Sequence, residues 1–262
     1  MNIASLALIG SLAVSPAIGQ PSQHALTTSL PPQTTLPIVF TRSVSADHDH
    51  VGDQISARTI QVVKLSDGTI IPRGSRVVGE VVAASPFSFD KTPYAKQRSS
   101  TLAIRFNEVI VANQHVPLKV YVRAMADPIT SNEARESFGS DDTQATQEQV
   151  GGDQLTWSQS EVLSRDGDVV AYNRRDGVYA HLIAHSGNSP VSCDASSVEV
   201  SVDIFSASAC GLYGFSGLTA AEVGSASNPS TLSLVSSRRS PKIWQHSTAL
   251  LEVLPEQTVA QR

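Results

Sequence analysis

Cysteine, aromatic and charged residues are all scarce in this chain, and its longest apolar runs stop short of a bilayer span. Of 262 residues, two are cysteines, 5% are aromatic and 16% are charged, against about a quarter charged in an average globular domain. The scarcity of charge excludes a chain kept disordered by self-repulsion. A formal net charge of −5 supplies no basic surface for nucleic acid or an anionic membrane. Glycine motifs that cradle phosphates are absent, as is any repeat of fixed period. Ser, Thr, Val and Ala fill the space, and the β-branched among them pack well on a pleated surface.

The start of the chain reads as a secretory signal peptide over residues 1–19. Residues 3–14 are apolar and uncharged, Pro16 ends the run, and Ala17 and Gly19 are the small residues a signal peptidase needs. A buried N-terminal helix is the alternative reading. The run is shorter than the ~20 residues of a membrane span, so no span is expected after cleavage, and export to the periplasm or beyond is. In that setting Cys193 and Cys210 are expected to form one disulfide. It would close a loop of about 18 residues, stabilising by roughly 3 kcal/mol in the chain-entropy model.

Period-two patterning dominates the chain beyond the signal, and no window shows a helical period. Residues 20–35, rich in Pro, Thr and Ser, read as a flexible lead-in. Strands are expected at 36–44, 54–64, 69–72, 75–84, 101–111 and 116–126. The second of these places Ile55, Ala57, Thr59, Gln61 and Val63 on one face, and Val77, Gly79, Val81 and Ala83 share a face of the fourth. Asp67-Gly68 is a strong hairpin signal. Residues 127–150 read as a solvated acidic linker, and 151–240 as a β-rich insertion or second subdomain with turns at Asp166-Gly167 and Asp176-Gly177 and a long strand at 198–209. Residues 241–254 read as a closing strand and 255–262 as a polar tail. The fold class is all-β: a small barrel spanning 36–126 with a β-rich insertion.

The first half and the last strand resemble the TrbI-like β-barrel domain, the core channel component of type IV secretion and conjugation machines. The resemblance rests on Leu36-Pro37, the run from Val51 to Gln54, the run from Ile71-Pro72-Arg73-Gly74-Ser75 to Glu80, the strand around Ile104 and Phe106, and Val116-Pro117-Leu118. Ile243 and the run from Ser247 to Val253 match its closing strand. The resemblance implies that the last strand completes one barrel. The segment from Phe205 to Gly211 is similar to exported bacterial proteins of the same two-part layout.

The residues offer little chemistry. Asp47-His48-Asp49-His50 has metal-ligand composition, but strand spacing puts its histidines about 7 Å apart. His181 and His185 have helical spacing without the Glu of a zincin, in a strand context. Gly214-Phe215-Ser216-Gly217 approaches a nucleophile elbow without matching it. No catalytic residue, metal or cofactor is therefore assigned. Phe87, Phe89 and Tyr94, in one loop, are candidate partner contacts. The expected role is structural: an envelope scaffold or assembly protein acting through other envelope proteins or self-association. Two alternatives stay open, a secreted hydrolase using Cys210 or a nearby serine (Ser206, Ser208 or Ser216) and a small-ligand binder in the barrel mouth.

Overall fold

The computed structural model describes residues 29–93, 96–135, 146–156, 160–183, 197–225 and 228–254. Alternation gives β3 (Gln54–Thr59) and β4 (Val63–Lys64), and Ile55, Ala57, Thr59, Gln61 and Val63 are all buried as the pattern requires. Asp67-Gly68 turns the chain into β5 (Ile70–Ile71), with Gly68 at φ 83° and the Thr69 N–H held by Asp67 Oδ1 at 2.8 Å.

Among the described residues β4 and β5 pair only with each other, and β3 lies in the main sheet with β1 (Thr35–Phe40), β6 (Arg76–Ser85), β7 (Ser100–Val111), β8 (Gln114–Pro117), β9 (Val120–Ala126), β16 (Gly211–Tyr213), β17 (Thr219–Ser225), β18 (Asn228–Ser236) and β20 (Thr248–Val253). Their order is β16-β9-β20-β1-β3-β6-β7-β18-β17, with β8 paired to β7. The nine strands of that path curl into a nearly closed barrel. The strand near the C-terminus does sit between β9 and β1, as a closing strand must. Short β2 (Val44–Ser45) and β19 (Lys242–Ile243) pair beside it. The interior is filled by side chains such as Leu36, Ile38, Phe40, Ile104, Phe106 and Leu251.

Bulges give the long strands their curl. Across β6 and β7 the register shifts at Val78/Gly79 and again at Val81/Ala83. At the first shift a Cβ on Gly79 would collide with the Arg105 carbonyl oxygen, so only glycine fits there. At the second, the extra residue turns Ala84, not Ala83, onto the core, which corrects the face expected for Ala83.

A second sheet of six strands is a simple meander of β10 (Thr146–Glu148), β11 (Gln154–Thr156), β12 (Glu161–Leu163), β13 (Val169–Arg174), β14 (Gly177–His181) and β15 (Glu199–Ser201). It packs on the outer face of β9 and β20, where Ala124, Ala126 and Leu250 join Val162, Ala180 and Phe205 in one apolar cluster. Several expectations shift accordingly. The insertion's separate sheet ends at Ser201, and residues 211–236 return to the barrel through β16, β17 and β18. The long strand expected at 198–209 stops at Ser201, because Asp203 takes φ 49° and the chain turns. The acidic linker is structured at its ends: Asp127 caps the helix α1 (Pro128–Glu133), and β10 begins at Thr146. Leu30 packs into the barrel cluster and β1 begins at Thr35, so the described end of the lead-in belongs to the fold.

One buried ion pair joins these parts. β9 bulges against β20 where Leu250 faces Ala124 and Leu251 faces Val122, which leaves Arg123 as the extra residue. Its side chain is fully buried on the barrel's outer face, under the second sheet. Nη1 meets Glu252 Oε2 at 2.9 Å, Nε donates to the Ala209 carbonyl at 3.2 Å, and Nη2 reaches the Ile183 and Ala207 carbonyls at 3.3 and 3.4 Å. A buried pair gains little over an apolar one but is costly to break. Arg123→Ala, which removes the buried cation facing the Glu252 carboxylate, is expected to destabilise by roughly 3–5 kcal/mol in denaturant unfolding. The double change Arg123→Met with Glu252→Leu should recover most of that. A single variant as mild as a surface substitution would refute the role given to this pair.

Candidate interaction surface

Antiparallel pairing leaves β17 with one partner, β18. Its other side approaches β9 and β16 without a backbone ladder among the described residues, which is where the barrel stops short of closing. Along β17, Thr219, Ala221 and Val223 project outward and are exposed, Val223 to 73%. Unpaired strand edges with apolar side chains are docking places for extended segments.

The seam itself is bridged by a side chain. Glu222 Oε1 accepts the Val122 backbone N–H at 2.9 Å, while Oε2 is buried with no hydrogen-bond partner among the described residues. Burial pushes this carboxyl up to about 7, against the opposing pull of the Val122 N–H and the Ser230 hydroxyl. On the packed elements, β18 carries no titratable side chain, and Arg123 of β9 is committed to Glu252.

The loop expected to contact a partner carries Phe87 and Phe89. Phe89 is 75% exposed and Phe87 half-buried, its N–H bonded to Ser240 Oγ at 2.8 Å. Both line a shallow hollow with Thr92, Gln97, Ser237 and Arg238. Tyr94 lies outside the described residues. The hollow therefore sits beside the basic loop after β18, which folds back so that Arg239 donates to the Ser216 carbonyl.

The chemical candidates do not converge. Asp49 is taken up by Arg42 Nη1 and the Ser45 N–H, both at 2.7 Å, and Asp53 by the His50 N–H. The run from Asp47 to His50 is thus a polar turn, and no group of metal-ligating side chains assembles among the described residues. His181 ends β14 with an exposed side chain, and His185 lies outside the described residues. Ser206 is buried against Ser208, with hydroxyls 3.3 Å apart, and no histidine side chain bonds to a serine hydroxyl among the described residues. Cys210 is 3% exposed, with its N–H donating to the Tyr213 hydroxyl at 3.1 Å, and Cys193 lies outside the described residues. Sequence reasoning passed over Arg123, Glu252 and Glu222. Each is a lone charge in an apolar or small-residue strand, and that isolation is the signal that would have found them.

No family model, curated protein or solved structure matches the chain.

The Glu222 carboxyl gives a pH signature for the seam. The folded chain holds its proton to about 7, whereas the free carboxyl releases it near 4.5. The stability this supplies is complete below pH 4.5 and is lost as pH rises through about 7, roughly 3 kcal/mol over the window. Glu222→Gln keeps an oxygen for the Val122 N–H and carries no charge. It is expected to be more stable than the parent at pH 8 and equal to it at pH 4.5, measured by urea unfolding. A constant difference between the two across that range would refute the assignment.

Proposed function

We propose that this chain is a non-enzymatic envelope protein with a structural or assembly role. The observation that carries the reading is the exposed outer face of β17 at the end of the strand order, with Val223 73% exposed, beside a barrel whose interior is already filled. A strand from another envelope protein or from a second copy adds to such an edge, with main-chain hydrogen bonds giving affinity and alternate side chains giving choice of partner. The loop bearing Phe87 and Phe89 is a second contact of the same kind. The filled interior speaks against a ligand in the barrel mouth. The cavity beside one barrel end, lined by residues such as Thr35, Leu65 and Val200, measures only about 130 Å³, below the usual range for small-molecule sites.

The resemblance to the TrbI-like barrel supports the same role, since that family assembles envelope channels. Export through the signal-like N-terminus and a disulfide between Cys193 and Cys210 belong to this reading. The burial of Cys210 beside the Arg123 carbonyl acceptors Ala207 and Ala209 fits a structural sulfur better than a nucleophile. A thiol assay in denaturant is expected to detect no thiol before reduction and both after it. A reactive Cys210 in the folded protein would favour the hydrolase instead.

The edge itself is tested by placing a photocrosslinking residue at position 223 or, as a control, at exposed Val169 on the second sheet, in cells. Position 223 is expected to give a discrete adduct with an envelope protein or a second copy. Ala221→Lys should remove that adduct. Equal smears from both positions would defeat the proposal.

A further inference from the structure

Where the two sheets meet, they leave an open cleft of about 710 Å³ walled by both layers. Barrel residues Ile60 to Val62, Lys64 and Arg73 form one wall, and the β13–β14 turn, from Arg174 to Gly177, forms the other, with Asp203 beside it. Cross-links between the layers hold the walls: the Tyr179 hydroxyl donates to the Val62 carbonyl at 3.0 Å, the Ser201 hydroxyl to the same oxygen at 3.3 Å, and Lys64 meets Asp176 at 2.5 Å. A volume of this size is typical of small-molecule sites.

Charge in the cleft does not balance. Lys64 pairs with Asp176, Arg174 with Glu199 at 2.6 Å, and Arg135 with Asp203 at 3.1 Å. Arg73 and Arg175 form no ion pair with a carboxylate among the described residues, and both side chains are exposed. Two uncommitted guanidinium groups therefore border one concavity in a chain whose net charge is −5. The lining holds a further donor. Gln61 is only 4% exposed; its Oε1 accepts the Val178 N–H at 3.3 Å, and its Nε2 is buried without a hydrogen-bond partner among the described residues. The amide is wedged in place, since a Cβ on Gly177 would collide with Gln61 Oε1. A buried amide donor left unpaired costs stability, of order 1–3 kcal/mol, unless something accepts from it. Burial raises the Asp203 carboxyl, against the pull of Arg135 and Arg73.

We propose that this cleft binds a small soluble oxyanion bearing phosphate groups, held by Arg73 and Arg175 at its rim over the Gln61 amide. Planar guanidinium forks match the oxygens of such a group two at a time. The concave shape and the acidic side chains of Asp176 and Asp203 beside it fit a small ligand better than a flat anionic membrane. The site is independent of the β17 edge, so the scaffold reading and this one stand or fall separately.

The test uses the full chain and inorganic pyrophosphate, titrated calorimetrically at low salt. Binding is expected with a dissociation constant below about 1 mM, weakening steeply with added salt as charge pairing does. The double variant Arg73→Ala, Arg175→Ala should weaken it at least tenfold, whereas Arg98→Ala, in the 86–99 loop, should leave it unchanged. Should the double variant not fold, as read by circular dichroism, the Arg73→Gln and Arg175→Gln single variants, which keep most of the side-chain stem, serve in its place, each with a severalfold loss expected. No binding by the parent, binding unaffected by the cleft variants, or binding to phosphatidylglycerol vesicles without binding to pyrophosphate would overturn the proposal.

Discussion

The buried pair of Arg123 and Glu252 is the constraint to which the rest of the architecture answers. A β-bulge puts one extra residue in β9, and that residue is an arginine with no solvent to point to. Its guanidinium meets a carboxylate from β20 and the carbonyls of Ile183, Ala207 and Ala209. Three stretches far apart in sequence must therefore arrive together. Leaving the arginine buried alone would cost more than any single apolar contact nearby supplies. The pair thereby selects the packing in which the second sheet covers β9 and β20, with the apolar cluster around Phe205 and Leu250 supplying the bulk of the driving force.

That packing leaves the barrel asymmetric. One part of its wall, β9 and β20, is covered, while β17 at the other end of the strand order pairs with β18 alone among the described residues and has an exposed outer face. The seam is bridged by Glu222, a group whose protonation is set near neutrality by burial. The covered part creates the cleft between the sheets and the uncovered part offers a strand edge. Neither requires a nucleophile, a base or a metal, and the side chains with that chemistry are dispersed or committed to turns, as with Asp49 and Arg42.

Much of the barrel was legible because period-two alternation is a local consequence of a half-buried sheet. Ile55 to Val63 alternate in sequence and in burial, and Asp67-Gly68 turns where hairpin chemistry says it must. The misreadings fall where a local pattern is overridden. Ala83 loses its face to a bulge that depends on β7. Residues 198–209 look like one strand, but the αL turn at Asp203, whose carboxylate is held by Arg135, ends it. Residues 211–236 read as part of the insertion, since nothing in a strand's own composition names the sheet that it joins. Of the candidate surface, the Phe87 and Phe89 loop could be read from its aromatics and prolines, whereas the β17 edge could not, because being an edge is a property of neighbours.

By itself the sequence determined the all-β class and the positions of most strands and turns, because these follow from residue chemistry and spacing of two. Tertiary structure alone decided the strand order, the covering of one barrel wall, the burial of Arg123 with Glu252, and the meeting of Arg73, Arg175 and Gln61 in one cleft. Those facts join residues separated by tens to more than a hundred positions. Pairing over such distances is settled by which faces can be buried together with their charges satisfied, and no local pattern carries that information.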